Sequence, residues 1–251
     1  MKKYIIILFI FISILSCNNY KNDENIVISL GGEVATIDPH LNTANIGTVY
    51  IRHFFEGLMK KDKDGKIIPG IAERYEMSDD GLVYTFYLRT NAKWSDGKNF
   101  TADDFLYSYR RFVDPKTAAP YGHLMKPIKN ALKITKGEIP VEELGIKKID
   151  DYTLEITLEN PTAYFLELAD MYLPVRKDII EEYGNTWVLN PESYICNGPY
   201  KIKERIIDDK IVMEINTNYY DYDKLVAKNI TIKMISDRNT ALAGIRNGDI
   251  H

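Results

Sequence analysis

The sequence predicts a mixed α/β protein in which helices and strands alternate along the chain. Three observations predict this class: apolar residues at helical spacing, segments in which apolar and polar residues alternate, and turn signals between them. The composition agrees, since 45% of the 251 residues are apolar and 27% are charged, which is typical of a globular protein. The formal net charge of −4 argues against a general nucleic-acid binder, because binding phosphates requires a basic surface.

The first 16 residues have the layout of an export signal. Two lysines precede an apolar run over residues 4–15, which is too short to cross a bilayer because a spanning helix needs about 20 residues. The run ends in Ser16-Cys17, which resembles a lipobox. We therefore predict a signal peptide over residues 1–16, lipidation at Cys17 and a polar tether over residues 17–25. An ordinary cleaved signal with an incidental cysteine is the alternative.

The first part of the mature chain predicts a strand, a turn, a helix and a hairpin. Residues 26–30 are rich in β-branched side chains, and Asp38-Pro39-His40 is a turn signal. Apolar residues at helical spacing predict a helix over residues 46–58. Asp62-Lys63-Asp64-Gly65 then predicts a hairpin turn.

The next segment predicts a half-buried strand followed by a capped helix. Over residues 82–88, Tyr84, Phe86 and Leu88 share one face. After a turn at residues 95–98, Thr101 is placed to cap a helix whose first turn carries two aspartates. Pro115 predicts the end of that helix.

The same patterns continue to the end of the sequence. Alternation predicts strands over residues 152–159, 200–205, 210–215 and 229–235, and apolar spacing predicts helices over residues 163–168, 176–183 and 239–246.

The motifs of several enzyme classes are missing from the sequence. It contains no phosphate loop, no H-E-x-x-H and no G-x-S-x-G. Its acid pairs are adjacent residues, which point in different directions and so do not form an acid/base dyad. Cys196 has no histidine in a recognisable pairing motif and is interpreted as a buried structural thiol. We therefore expect no enzyme activity, no cofactor and no metal.

A set of motifs in a fixed order resembles the extracellular solute-binding proteins of peptide ABC importers, family 5. The central motifs are Phe86-Tyr87-Leu88-Arg89, Ala92-Lys93-Trp94-Ser95-Asp96-Gly97 and Thr101-Ala102-Asp103-Asp104-Phe105. Matching segments before and after them are residues 32–34, 38–40, 55–58, 113–121, 144–155 and 197–200. The stretch Val113-Asp114-Pro115-Lys116-Thr117-Ala118-Ala119-Pro120-Tyr121 is similar to that of oligopeptide binders in particular.

The resemblance implies the type II lobes of periplasmic binding proteins, which close on a peptide. Parts of the first large lobe would be residues 26–55 and 185–251, and a small extra domain would be residues 56–184. By the same resemblance, Gly32, Glu33 and Val34 would border the cleft and contact the peptide main chain, and Tyr121 would lie at the peptide site. Glu33 as a surface acid and Tyr121 as a loop-packing residue are the alternatives. Trp94, Asp96 and Gly97 are expected to be structural.

The implied role is capture of oligopeptides outside the cytoplasm for delivery to ABC permease subunits, by a monomer held at the membrane through Cys17. No nucleic acid is expected as a partner. A surface lipoprotein acting as adhesin or sensor and a truncated, non-binding fragment are the alternatives. A related importer component for nickel, haem or dipeptides is a third hypothesis, against which the stretch over residues 113–121 argues.

The chain departs from the family pattern at two places. Family members are usually much longer, and this sequence stops at Gly248-Asp249-Ile250-His251, where His251 replaces the usual aspartate. We therefore expect the second large lobe to be missing, and the face that would meet it to be apolar. Tyr219-Tyr220 stands where the family prefers a tyrosine-tryptophan pair.

Overall fold

The computed structural model describes residues 24–251. The predicted signal peptide over residues 1–16, the lipidation at Cys17 and most of the tether over residues 17–25 lie outside the described residues.

The first sheet joins the two ends of the described chain. Its four strands lie in the order β1-β10-β9-β8, with β1 at Asn25–Gly31, β8 at Tyr200–Ile206, β9 at Lys210–Ile215 and β10 at Asn229–Met234. The pair β1–β10 is parallel, with Ile26 opposite Ile230, and the other two pairs are antiparallel.

The second sheet is antiparallel and lies in the middle of the chain. Its order is β4-β5-β7-β6, with β4 at Ala72–Met77, β5 at Val83–Leu88, β6 at Ile146–Asp150 and β7 at Thr153–Thr157. A separate hairpin pairs β2 (Met59–Lys61) with β3 (Ile67–Pro69). All strands of the first sheet lie outside residues 56–184, and all strands of the second sheet lie within them. The division of the chain into a lobe and an extra domain at these residues stays a prediction.

Six α-helices complete the fold of the described residues. They are α1 (Asn45–Phe54), α2 (Ala102–Val113), α3 (Ala131–Thr135), α4 (Phe165–Met171), α5 (Lys177–Tyr183) and α6 (Arg238–Asn247). Short 3-10 turns cover Gly122–Met125, Val141–Glu143, Gly184–Val188 and Tyr222–Lys224. Within residues 24–251, none of the helices combines the length and the apolar character needed to cross a bilayer.

Helix α1 ends earlier than its apolar spacing predicts. The prediction extends it to residue 58, but the backbone becomes extended at Phe55. The carbonyl groups of Gly57 and Leu58 instead accept hydrogen bonds from the N–H groups of Ile71 and Ala72. These bonds with a distant segment satisfy the backbone without a helix, so the local pattern is overridden.

Helix α2 begins and ends where the sequence predicts. Thr101 and Asp104 form a capping box in which the Thr101 N–H donates to the Asp104 carboxylate at 2.8 Å. Burial raises the pKa of Asp104 to about 6. Phe105 and Tyr109 face the core, and the helix stops two residues before Pro115.

The A-K-W-S-D-G segment is structural, as expected. Trp94 is 1% exposed and stacks on Phe100 with ring centroids 5.0 Å apart. Asp96 forms an ion pair with Arg176 at 3.0 Å. Cys196 is fully buried, and burial raises the pKa of its thiol to about 12. A thiol with that pKa is protonated at neutral pH, in agreement with a structural role.

Candidate functional site

A groove beside Tyr121 brings together the loop over residues 32–44, helix α1 and the end of helix α2. Its volume is about 350 Å³, and Tyr121 lies on its rim with 42% of its surface exposed. The lining residues are apolar or uncharged apart from one arginine: Pro39, Asn42, Thr43, Asn45, Thr48, Ile51, Arg52, Phe112, Tyr121, Leu124, Met171, Tyr172 and Leu173.

The loop that forms one wall of this groove is fixed by its own hydrogen bonds. The buried Asn42 amide donates to the carbonyl of Ala44 and to the hydroxyl of Thr48, both at 3.0 Å, and accepts from the Ala44 N–H at 3.1 Å. Gly47 makes room for this amide, since a Cβ there would lie 2.1 Å from the Asn42 oxygen. Thr43 is therefore held exposed at the groove on a rigid support.

A buried ionic cluster lies directly behind the groove. The Asp38 carboxylate accepts hydrogen bonds from the Arg111 guanidinium at 2.8 Å and from the indole N–H of Trp187 at 3.1 Å. Burial alone would raise the pKa of Asp38, but the charge and hydrogen bonds of Arg111 outweigh it and hold that pKa below its usual value. The side chains of Arg111 and Asp38 are 9% and 2% exposed, so the pair is largely buried.

His40 completes the cluster as a neutral imidazole. Its Nε2 lies 2.9 Å from the carbonyl oxygen of Leu173, and its Nδ1 lies 2.8 Å from the Arg111 guanidinium. Arg111 can only donate, so Nδ1 accepts and Nε2 carries the proton. Burial, and then the charge of Arg111, lower the pKa of His40 from its usual 6.5 to about 4. The ring packs on Phe112 with centroids 4.9 Å apart, which ties the cluster to the groove wall.

Arg52 and Asp170 form an ion pair at the other end of the groove. Both guanidinium NH₂ groups donate to the Asp170 carboxylate, one of them at 2.9 Å, and Arg52 also donates to the Asp170 carbonyl at 3.0 Å. Gly57 allows this approach, because a Cβ there would lie 2.6 Å from the carbonyl oxygen of Ala169. The Asp170 side chain is 2% exposed and that of Arg52 is 34% exposed. Of the two, only Arg52 lines this groove, and both also line a neighbouring groove beside Glu56.

The predicted site residues do not all line the same groove. Tyr121 lines the groove described above, whereas Gly32, Glu33 and Val34 do not. The Glu33 carboxylate binds Arg205 at 3.2 Å and also accepts from the backbone N–H of Val34 at 3.1 Å. Glu33 is therefore bonded within the protein, and a peptide contact by this segment stays a prediction that depends on its main chain.

The structure adds residues to the site that the sequence patterns do not indicate. Asn42, Thr43 and Asn45 follow the predicted turn at residues 38–40, and they line the groove together with Tyr121. The cluster of small polar residues directly after a turn is the available signal. Arg52 gives no local signal because its partner is 118 residues away in sequence.

A second buried polar cluster surrounds Glu56. The Tyr219 and Tyr220 hydroxyl groups donate to its two carboxylate oxygens at 2.5 and 2.6 Å. Lys60 lies 3.2 Å from the same carboxylate and donates to the Tyr220 oxygen at 2.8 Å. Burial, and then the charge of Glu56, raise the pKa of both tyrosines. Tyr220, the residue that departs from the family pattern, thus supplies one of the two phenol donors to this carboxylate.

Replacing Tyr220 by phenylalanine is expected to lower the free energy of unfolding by about 1–3 kcal/mol, because a carboxylate that is 7% exposed loses a donor. Urea unfolding followed by circular dichroism measures this. Tyr87→Phe is the matched control, since Tyr87 donates to Glu76 at 3.1 Å at an exposed position and its loss should cost well under about 1 kcal/mol. Equal effects of the two substitutions would contradict the prediction.

The groove and the two buried clusters offer groups that can bind a ligand and groups that support the fold around it. Among residues 24–251, no group of three or more histidine, cysteine, aspartate or glutamate side chains is arranged to hold a metal ion. The groove offers exposed phenol, hydroxyl and amide groups next to apolar surface, which is the usual make-up of a ligand site.

Comparisons with known proteins agree with this description. Residues 66–251 match the sequence model of the family described as bacterial extracellular solute-binding proteins, family 5, middle. The chain is 39% identical over 231 residues to the periplasmic oligopeptide-binding protein OppA of Salmonella typhimurium, covering 90% of this chain and 42% of that protein. It is 36% identical over 231 residues to the periplasmic murein peptide-binding protein MppA of Escherichia coli, with the same coverage.

Solved structures give the same result. A crystal structure of Haemophilus influenzae OppA in complex with the peptide RPPGFSPFR superposes with a TM-score of 0.87 and 37% identity, covering 91% of this chain and 45% of that one. Listeria monocytogenes OppA bound to peptide gives a TM-score of 0.88 and 35% identity, covering 91% and 46%. The chain thus spans less than half the length of these relatives. The predicted mixed α/β class with incomplete lobes is confirmed.

Proposed function

The chain belongs to family 5 of the bacterial extracellular solute-binding proteins, and on that premise we propose that it is part of a receptor that captures oligopeptides for an ABC importer. Its relatives include proteins named for binding oligopeptides and murein peptide. A receptor that serves many peptides must rely on what peptides share, namely backbone N–H and C=O groups and charged termini. Most of its side-chain subsites can then stay open and hydrated.

The observation that carries the proposal is the groove beside Tyr121. Tyr121 belongs to the stretch over residues 113–121 that resembles oligopeptide binders. It lines the groove together with Thr43 of the rigid loop and Asn45 at the start of helix α1. Its side chain is 42% exposed and its ring lies 6.2 Å from that of His123. The exposed part of the ring is what supports the site interpretation.

The groove is open on one side, so this chain supplies one wall of the proposed site. We propose that a second lobe, of the kind that the additional length of the relatives provides, closes over the peptide as in a hinged trap. Gly32, Glu33 and Val34 are proposed to border the same cleft through their main chain. Residues 26–55 and 185–251 would form the first lobe, and residues 56–184 the extra domain.

Membership of family 5 also supports a proposal for the cellular setting. The protein would be exported, anchored through Cys17, monomeric and without enzyme activity, and it would deliver peptides to ABC permease subunits. Relatives named as periplasmic binding proteins support the exported location.

Titrating the protein with a mixed set of tri- to pentapeptides in a calorimeter tests the proposal. We expect binding with little dependence on peptide length or on most side chains, and a loss of about tenfold in affinity for Tyr121→Ala. Tyr222→Ala is the matched control, because Tyr222 is also 42% exposed but does not line the groove. A folded protein that binds none of these peptides would contradict peptide capture by this chain and favour the adhesin or sensor alternative or the truncated, non-binding fragment.

A further inference from the structure

We propose that the groove beside Tyr121 selects an uncharged, apolar side chain of the bound peptide, and that Asp170 sets this preference by cancelling the charge of Arg52. The inference rests on the proposed function and specifies which peptides fit this part of the site.

The lining of the groove carries a single charged side chain among its described residues. That side chain is Arg52, and the remaining surface is apolar or uncharged. Phe112, Tyr121 and Tyr172 contribute rings, and Met171 contributes a flexible thioether that is 49% exposed. A thioether adapts to different apolar shapes, and rings bury large apolar areas.

The charge of Arg52 is already neutralised inside the protein. Asp170 binds both of its NH₂ groups in the two-pronged geometry that carboxylates prefer. Since the Asp170 side chain is almost fully buried, its charge is poorly screened by water, and its attraction to Arg52 is strong. A carboxylate arriving with a peptide would therefore meet a neutral pair instead of a free cation.

The charges of the buried ionic cluster behind the groove also cancel. Asp38 and Arg111 form a closed ion pair 2.8 Å apart, and His40 is uncharged at neutral pH because its pKa is about 4. No unpaired charge in this cluster offers compensation to a charged side chain in the groove. Such a side chain would lose water without gaining a partner, which is unfavourable.

The size of the groove fits one large side chain. Ligand sites have volumes of roughly 300–1,000 Å³, and about 350 Å³ is at the lower end of that range. The groove therefore suits a part of a peptide, such as one aromatic or branched aliphatic side chain with its adjoining backbone.

Calorimetry on the full chain with alanine pentapeptides tests this selectivity. One guest residue, phenylalanine, leucine, glutamate or lysine, is placed at each position in turn. At one position, we expect the apolar guests to bind about tenfold more tightly than the charged ones. Equal binding of all guests at every position would overturn the inference and leave peptide capture intact. No binding of any peptide would overturn the proposed function, and the inference with it.

Asp170→Asn tests the role of the ion pair. It frees the charge of Arg52 and keeps the shape of the side chain, so binding of the glutamate guest should improve on the order of tenfold. The phenylalanine guest should change by less than about twofold. The double variant Arg52→Met/Asp170→Asn is the control. It leaves no charge at this pair, so the improved binding of the glutamate guest should disappear. An unchanged affinity for glutamate in Asp170→Asn would overturn the assignment of Asp170.

Thr43→Asp gives a second test that does not depend on a buried residue. Thr43 is exposed at the groove, so the substitution should not disturb folding. It should weaken binding of the phenylalanine guest and strengthen binding of the lysine guest, each by about fivefold. If neither affinity changes, the guest side chain does not lie in this groove, and the inference is wrong.

Discussion

Replacing Arg111 by methionine is expected to lower the free energy of unfolding by about 3–5 kcal/mol. The substitution leaves the buried Asp38 carboxylate without its charged partner, and it removes the donor that fixes the tautomer of His40. An uncompensated buried charge costs far more than the ion pair itself contributes, because the carboxylate has already lost its water. Urea unfolding at neutral pH measures the change.

The neighbouring arginine provides a matched control. Arg110 lies on the same helix, but its one described hydrogen bond is a 3.3 Å contact with the carbonyl of Glu142. Arg110→Met should therefore cost less than about 1 kcal/mol. The double variant Asp38→Asn/Arg111→Met should recover part of the loss, since the buried charge is removed. If the double variant were less stable than Arg111→Met alone, the ionic explanation would be wrong.

The second large effect concerns pH. Protonation of His40 and of Asp104 is expected to change the free energy of unfolding in opposite directions as the pH falls. His40 is neutral in the folded protein down to a pH of about 4, whereas in the unfolded chain it takes up a proton near pH 6.5. The unfolded state therefore binds more protons in this window, and the free energy of unfolding falls as the pH falls, by about 3 kcal/mol in total.

Asp104 acts in the opposite direction. Its carboxyl group has a pKa of about 6 in the folded protein and 3.8 as its usual value, so the folded state binds more protons between these values. Stability from this group rises as the pH falls, by about 2 kcal/mol after allowance for its partial exposure. The two contributions largely cancel, and we expect a nearly flat profile for the unaltered protein between about pH 6 and pH 4.

Single substitutions separate the two contributions. Asp104→Asn should reveal the His40 contribution, so that the free energy of unfolding drops by about 3 kcal/mol between about pH 6.5 and pH 4.2. His40→Gln should instead make the protein more stable in acid over the same range. The exposed His123 serves as the control, and His123→Gln should leave the profile unchanged. Parallel profiles for Asp104→Asn and His40→Gln would refute the assignment.

The parts of the fold that the sequence predicts correctly have strong local signals. Tyr84, Phe86 and Leu88 alternate on a half-buried strand, and α2 carries a capping box at Thr101 and a proline after its end. Alternation does not predict the strands β4 and β6. They lie at the edges of their sheet, and the side chains of β4 after Ala72 are exposed, so an apolar pattern is missing there.

The candidate site is harder to predict because its contacts join distant segments. Asp38 and Arg111 are 73 residues apart, and Arg52 and Asp170 are 118 residues apart. A local pattern shows neither pair. The family resemblance points to Tyr121, whereas Asn42 and Thr43 become visible as site residues only when the loop is placed beside it. The apolar face expected opposite a second lobe stays a prediction.

The parallel pairing of β1 with β10 has a consequence for the order in which the chain can fold. Asn25 and Asn229 are opposite each other and 204 residues apart in sequence. A ribosome adds roughly 5–20 residues per second, so β1 waits at least about 10 seconds for the strand beside it. During this interval the middle sheet, whose strands are close in sequence, can form first, since local contacts are faster to make. The first sheet is therefore completed late, and until then β1 lacks the strand that pairs with it.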